Sequence, residues 1–422
     1  MENSFMPAAE RKRDAGDGSD DLLKVLVVDD QANIVRTITK MLNDLGYFKI
    51  IDVAEDGEAA WSKMSKRGSD QYDVVITDIY MPKLDGLGLI GRCRKSILAR
   101  DVSFMVVTGE RKPELLAALG EMGVLECLVK PFSFKVFMDR INVLLQTLTD
   151  PLQKSYNQIS HLIADGDYAE ALKSLERLDE KESLKPKWLN LKGEIYLGMG
   201  FLNHARECIE QALTSCDCYL TALCNQAKLE EKAGKLAAAV ESLEKADSIS
   251  PLMVDRKIAL GDLLFQIDRE EDGKKMLYKA GVMSQDVEVK LQVSEMLTER
   301  GCEKEADKII SRILSFKFTG IETCNKIGIS LRKQAKYREA EKSYMSALNY
   351  HPDNAAIYYN MGVLYLYEAK KIRATDCFKK ALKLNPEFER AQAMLNCYCG
   401  ANAEKAMAVA TARPGEVYEM AF

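Results

Sequence analysis

Apolar residues follow two patterns along the chain, and the change falls near residue 150. Before it, five short runs are continuously apolar: Val25-Leu26-Val27-Val28, Ile50–Val53, Val74-Val75-Ile76-Thr77, Phe104-Met105-Val106-Val107 and Leu125–Val129. Between and after them lie amphipathic stretches near 32–45, 56–67, 86–98, 112–122 and 133–147. A strand with one wet face alternates apolar and polar residues, whereas a strand covered on both faces is apolar throughout. Five such strands in strict alternation with five helices predict an α/β domain built on a doubly wound five-stranded parallel sheet. After Asp150-Pro151 the strands vanish, and the chain to about residue 400 reads as helix broken at regular intervals.

The helical part repeats itself. Ala171, Ala205, Ala239, Gly273, Ala306, Ala340 and Ala374 are spaced 34, 34, 34, 33, 34 and 34 residues apart. Four residues further on stand Leu175, Ile209, Leu243, Leu277, Ile310, Tyr344 and Phe378, and seven further on Leu178, Ala212, Ala246, Ala280, Ile313, Ala347 and Ala381. Positions three or four apart share one helix face, so each period carries a packed stripe. Pro251, Pro352 and Pro386 stand where a helix has to stop. The period predicts an all-α solenoid of seven helix pairs over 150–400, with a closing helix near Phe388–Cys397 covering the last apolar face. The weakest copy is 287–320, which keeps Ala306 and little else, and the first helix of the 152–185 copy is also poorly marked. Residues 1–20 are charged and poor in apolar groups, which predicts a disordered leader. The expected division is leader 1–20, α/β domain 21–148, repeat array 150–400 and flexible tail 401–422.

Composition narrows the partners. The 422 residues are 47% hydrophobic and 29% charged, ordinary for soluble globular protein and too many for one core. A formal charge of −5 argues against nucleic acid or an anionic membrane as the main partner. Eleven cysteines are scattered through the periodic segments; the close pairs Cys216/Cys218 and Cys397/Cys399 lack a second pair at zinc-finger spacing. Reduced thiols in a cytoplasmic protein are expected. Met1–Asp21 is polar rather than a signal peptide, and no apolar run approaches the roughly 18 residues of a membrane span.

In an open parallel sheet, ligands bind beyond the carboxyl ends of the strands. There the first strand delivers Asp29-Asp30, the third Asp78, the fourth Thr108 and the fifth Lys130-Pro131. Carboxylates a few ångströms apart repel by about 4 kcal/mol per close pair at intermediate dielectric. A hard divalent cation relieves that repulsion, and Mg2+ takes oxygen ligands while keeping several waters. One carboxylate is then placed to attack a phosphoryl group, with cation and ammonium neutralising the transferring oxygens.

These residues and spacings resemble the receiver domains of two-component response regulators, which have a flavodoxin-like fold. The resemblance covers about residues 22–147 and rests on VLVVDD at 25–30, DIYMPKLDG at 78–86, VVTG at 106–109 and LVKPF at 128–132. It implies that Asp78 is the phosphoacceptor, Asp30 the direct Mg2+ ligand and Asp29 a ligand acting mainly through bound water. The Tyr80 carbonyl completes the metal site. Thr108 follows the phosphoryl group in the switch, Lys130 contacts it, and Lys130–Pro131 is a candidate cis peptide. The chain departs from the family pattern at Cys127, where an aromatic residue often stands. Tyr80 and Glu110 occupy positions whose side chains tune dephosphorylation in the family, and a bulky Tyr80 is placed to restrict the attacking water. Cys127 itself reads as a buried strand thiol rather than a redox sensor.

The 34-residue period resembles the tetratricopeptide repeat. It is clearest at 355–388, with Tyr358, Met361, Gly362, Tyr365, Ala374, Phe378, Ala381 and Pro386. The two resemblances together imply a phosphorelay response regulator that takes a phosphoryl group from a histidine kinase and modulates binding of a protein or peptide on the concave face of the repeats. The rival reading is a scaffold or phosphate sink that binds partners whatever the state of Asp78. The catalysis implied is limited to self-phosphorylation from small phosphodonors and slow self-dephosphorylation.

Overall fold

The computed structural model describes residues 23–65, 71–124, 126–315 and 321–399. The expected leader and tail, the end of the 56–67 helix, Leu125 and the thiols of Cys397 and Cys399 lie outside the described residues. Strands β1 (Leu23–Val28), β2 (Phe48–Ala54), β3 (Val74–Thr77), β4 (Ser103–Thr108) and β5 (Glu126–Val129) form one sheet of order β2-β1-β3-β4-β5, every pair parallel. The helices are α1 (Ala32–Leu45), α2 (Gly57–Met64), α3 (Gly86–Lys95), α4 (Pro113–Glu121) and α5 (Phe134–Thr149).

The continuous apolar runs have their reason in the two cores. Leu26, Val28, Val75, Phe104 and Val106 point to one face, under α2, α3 and α4. Val25, Val27, Val74, Ile76, Met105 and Val107 point to the other, under α1 and α5. Each fully buried Val or Leu contributes about 1.5–3 kcal/mol, so the sheet is a firm platform for the polar rim at its carboxyl edge.

Helix α3 stops three residues before the expected end at 98. Ser96 is extended, and the loop that follows is held by the Arg94 guanidinium, which donates to the carbonyls of Arg100 (2.7 Å), Val102 (2.9 Å) and Met122 (3.0 Å). Those carbonyls lie 6, 8 and 28 residues further along the chain, outside the helical pattern, so local periodicity does not reveal the stop.

The chain divides into two compact units, Met1–Asp286 and Val287–Phe422. In the first, α5 passes directly into α6 (Pro151–Ala164). Asp150 caps α6 by accepting from the Leu152 N–H at 3.0 Å, and Pro151 takes the first helical position, where no N–H is needed. Then follow α7 (Tyr168–Glu176), a short α8 (Glu180–Ser183), α9 (Pro186–Met199), α10 (Leu202–Ser215), α11 (Leu220–Lys232), α12 (Leu236–Ile249), α13 (Val254–Gln266) and α14 (Glu270–Met283). The second unit holds α15 (Val287–Glu299), α16 (Glu303–Ser315), α17 (Ile321–Lys333), α18 (Tyr337–Tyr350), α19 (Ala355–Tyr367), α20 (Lys371–Leu384) and α21 (Glu389–Cys399). The weakly marked copy at 287–320 still forms its helix pair, α15 and α16.

All seven small residues of the 34-residue series are buried, and Ala171, Ala205, Ala239, Ala306, Ala340 and Ala374 are 0% exposed. The third series fails at its first member: α7 ends at Glu176, and Leu178 lies beyond it, half-buried. Within the pairs, glycine makes room for the bulky residue of the partner helix. A methyl group at Gly193, Gly261, Gly328 or Gly362 would come within 2.7, 2.8, 2.4 and 2.5 Å of Ile209, Leu277, Tyr344 and Phe378 respectively.

Candidate functional site

The strand ends bring Asp29, Asp30 and Asp78 together, each offering a carboxylate oxygen within 4.8 Å of the others. Asp29 and Asp78 are buried and Asp30 is exposed. Parallel pairing explains the convergence: β1 lies between β2 and β3, and the Asp78 N–H donates to the Val28 carbonyl at 2.9 Å, aligning the two strand ends. The Lys130 ammonium reaches across from the end of β5 and sits 2.7 Å from both Asp29 Oδ2 and Asp78 Oδ2. Burial works against its charge, but the two carboxylates outweigh burial and hold its pKa above the usual lysine value. The Lys130–Pro131 peptide is cis.

The second oxygen of each buried carboxylate is also engaged. Asp29 Oδ1 accepts from the Gln31 N–H at 2.8 Å, and Asp78 Oδ1 from the Ile79 N–H at 2.6 Å. Thr108 closes β4 opposite Val129, and its carbonyl accepts the Lys130 N–H at 2.8 Å. Its hydroxyl oxygen accepts from the Glu110 N–H at 3.2 Å. Tyr80 is exposed; its hydroxyl donates to Glu110 at 2.9 Å, and Glu110 also pairs with Lys112 at 2.6 Å. Burial, followed by the hydrogen bond to Glu110, raises the Tyr80 pKa. Cys127, expected as a buried strand thiol, is only half-buried; it pairs with Val106 on β4 and packs on the core under α2, α3 and α4, and partial burial raises its thiol pKa.

Two arrangements were not legible in the sequence. The loop 79–85 carries Lys83 in the left-handed region at φ 65°, which aims its ammonium at Asp56. Asp56 is itself buried and caps α2 through the Ala59 N–H at 2.8 Å. The second is the Tyr80–Glu110–Lys112 chain, which joins the loop after β3 to the loop after β4. Its residues are positioned by loop backbones, for which periodicity carries no signal.

Three carboxylates with one ammonium leave the rim with excess negative charge, and oxygen donors of this kind suit a hard divalent cation such as Mg2+. Receiver domains generally bind Mg2+ through such an acidic pocket, and the donor set here fits it.

Residues 25–142 match the response regulator receiver domain family, and residues 220–251 and 355–388 match the tetratricopeptide repeat. Over 126 residues the chain is 35% identical to chemotaxis protein CheY1 of Helicobacter pylori, covering 30% of this chain and 98% of that protein. The same identity over 126 residues relates it to a CheY homolog of Campylobacter jejuni, covering 94% of that protein. Among solved structures, chemotaxis response regulator CheY4 of Vibrio cholerae aligns at 28% identity with a TM-score of 0.27, covering 29% of this chain and 98% of that one. The chain belongs to the response regulator family, with a receiver domain in its N-terminal part and tetratricopeptide repeats, a repeat type associated with protein binding, after it. Among the described residues no helix is long and apolar enough to cross a membrane.

Proposed function

We propose that Asp78 accepts a phosphoryl group from a histidine kinase and that its phosphorylation state modulates protein binding by the repeats. In this reading 21–148 is the phospho-receiver and 150–400 the binding array of a cytoplasmic protein. The observation that carries the proposal is the Asp29–Lys130–Asp78 arrangement, with Asp30 alongside. Asp78 Oδ2 attacks phosphorus as the phosphorus–nitrogen bond of the donor phosphohistidine breaks, and the departing imidazole keeps the electron pair of that bond. The product is an acyl phosphate, with more negative charge than the carboxylate it replaces. Lys130 already contacts the attacking carboxylate and stays to neutralise the new oxygens, while Thr108 supplies a hydroxyl to them. Asp29, Asp30, Asp78 and the Tyr80 carbonyl would hold Mg2+, which when bound supplies further neutralisation of the transferring group.

Intact-mass measurement after incubation with acetyl phosphate and Mg2+ tests the chemistry. One added phosphoryl group in the wild type and none in Asp78→Asn is expected. Failure of folded wild type to gain phosphate from acetyl phosphate and from its kinase would overturn the reading. Partner affinity indifferent to phosphorylation would leave a scaffold.

A further inference from the structure

Within the first compact unit the receiver and the repeats are joined by more than the Asp150 linker. The Arg256 side chain, 2% exposed on α13, makes a bidentate pair with Glu121 at the end of α4, at 2.7 and 3.1 Å, and donates to the Ser250 carbonyl at 2.6 Å. The Cys224 thiol on α11 lies 3.9 Å from the same glutamate. Leu252, in the turn before α13, packs on the receiver core under α2, α3 and α4. Arg92, on α3, holds Glu58 of α2 at 2.8 and 2.9 Å and Asp286, at the end of the unit, at 2.8 Å. Lys95 meets Asp255 at 2.8 Å. One face of successive repeats is therefore matched to one face of the receiver by buried charge and by an apolar contact.

That receiver face is tied to the phosphoacceptor. The Ile79 N–H donates to Asp78 Oδ1, and the Ile79 carbonyl accepts the N–H of Gly86, the first residue of α3, at 2.9 Å. A methyl group on Gly86 would lie 2.2 Å from the Asp78 carbonyl oxygen, so α3 starts against the backbone of Asp78 itself. Arg92 lies six residues along that helix, about 9 Å at 1.5 Å per residue. Lys83, in the connecting loop, holds Asp56 at the head of α2, the other helix that Arg92 grips. A phosphoryl group on Asp78 Oδ2 turns Oδ1, the acceptor of the Ile79 N–H, from a carboxylate oxygen into the neutral carbonyl oxygen of an acyl phosphate, and packed interfaces of this kind respond by shifting between discrete arrangements.

Resting on the function proposed above, we propose that the receiver is the resting occupant of the repeat face around Arg256, latched by Glu121 and Arg92, and that phosphorylation of Asp78 releases it. Protein binding on that face is thus masked until the receiver leaves.

Hydrogen exchange of the full chain tests this, with phosphate content read by mass in the same sample. The probe segments are α11 and α13, and the strands of the sheet serve as the folding control. Exchange at the ends of α11 and α13 should rise on the order of tenfold in phosphorylated wild type and in untreated Arg92→Gln/Glu121→Gln. Asp78→Asn treated with acetyl phosphate should match untreated wild type. Should the double variant lose protection in the sheet as well, the reversed pair Glu121→Arg with Arg256→Glu replaces it: protection restored relative to Glu121→Arg alone supports the latch, and protection not restored refutes it. Unchanged exchange in phosphorylated wild type refutes release, and unchanged exchange in the double variant refutes the latch. If the wild type takes no phosphoryl group, the proposed function and the release fall together, while the variants alone still decide whether the receiver masks the face.

Discussion

At the scale of single residues, Lys130 stands in for part of the charge that a cation would bring. With Lys130→Ala the carboxylates of Asp29 and Asp78 keep their crowding and lose their shared ammonium. Removing one member of a buried ion pair costs about 3 kcal/mol, because the charge left behind is uncompensated. Urea unfolding of Lys130→Ala without divalent cation should show a loss of that order. Added Mg2+ should then raise its midpoint more than that of the wild type, because binding to the folded state is linked to its stability. An equal response of the two proteins would contradict the role of Lys130 as the site's internal counter-ion. Much of this site was legible beforehand, since residues at the carboxyl ends of adjacent parallel strands have to converge and Asp29, Asp30, Asp78, Thr108 and Lys130 are all such residues. Lys83 gave no signal. Its left-handed backbone belongs to a non-glycine residue, and its partner Asp56 lies 27 positions away in the chain.

At the scale of elements, the repeat helices meet where a glycine faces a bulky residue. Gly362→Val would drive a branched side chain into the Phe378 ring and should cost about 1–3 kcal/mol, seen as a lower urea midpoint for the second unit. Gly120 is the contrast: in α4 it has open space around it. Gly120→Ala should stabilise the receiver by about 0.5 kcal/mol through helix propensity and a less flexible unfolded chain. If both substitutions shifted stability equally, close packing would not be the cause. The 34-residue period made the solenoid readable because small residues at helix crossings recur with the architecture itself. The short helix Glu180–Ser183 and the early end of α7 escaped that logic. The period counts residues between repeats and does not show how the intervening turns are folded. Gly193 stands 16 residues before Ile209, the spacing that also separates Gly328 from Tyr344 and Gly362 from Phe378.

At the scale of the molecule, the receiver and the first four helix pairs form one compact unit, although sequence patterning divides them at residue 150. Periodicity reports what each segment buries within its own layer. Contacts such as Glu121 with Arg256 join residues 135 positions apart and leave no local trace. The bidentate pair has a consequence that runs opposite to signalling. Coupling between two binding events is reciprocal, so whatever phosphorylation does to occupancy of the Arg256 face, occupancy of that face does to phosphorylation by the same factor. On the proposed latch, a cargo protein that displaces Glu121 would shift the phosphorylation equilibrium of Asp78 toward the acyl phosphate. At equilibrium with a limited phosphodonor, mass spectrometry of bound and free fractions should find the phosphoryl group enriched on the molecules carrying cargo. Under that latch, cargo would decide which copies of the protein keep the message.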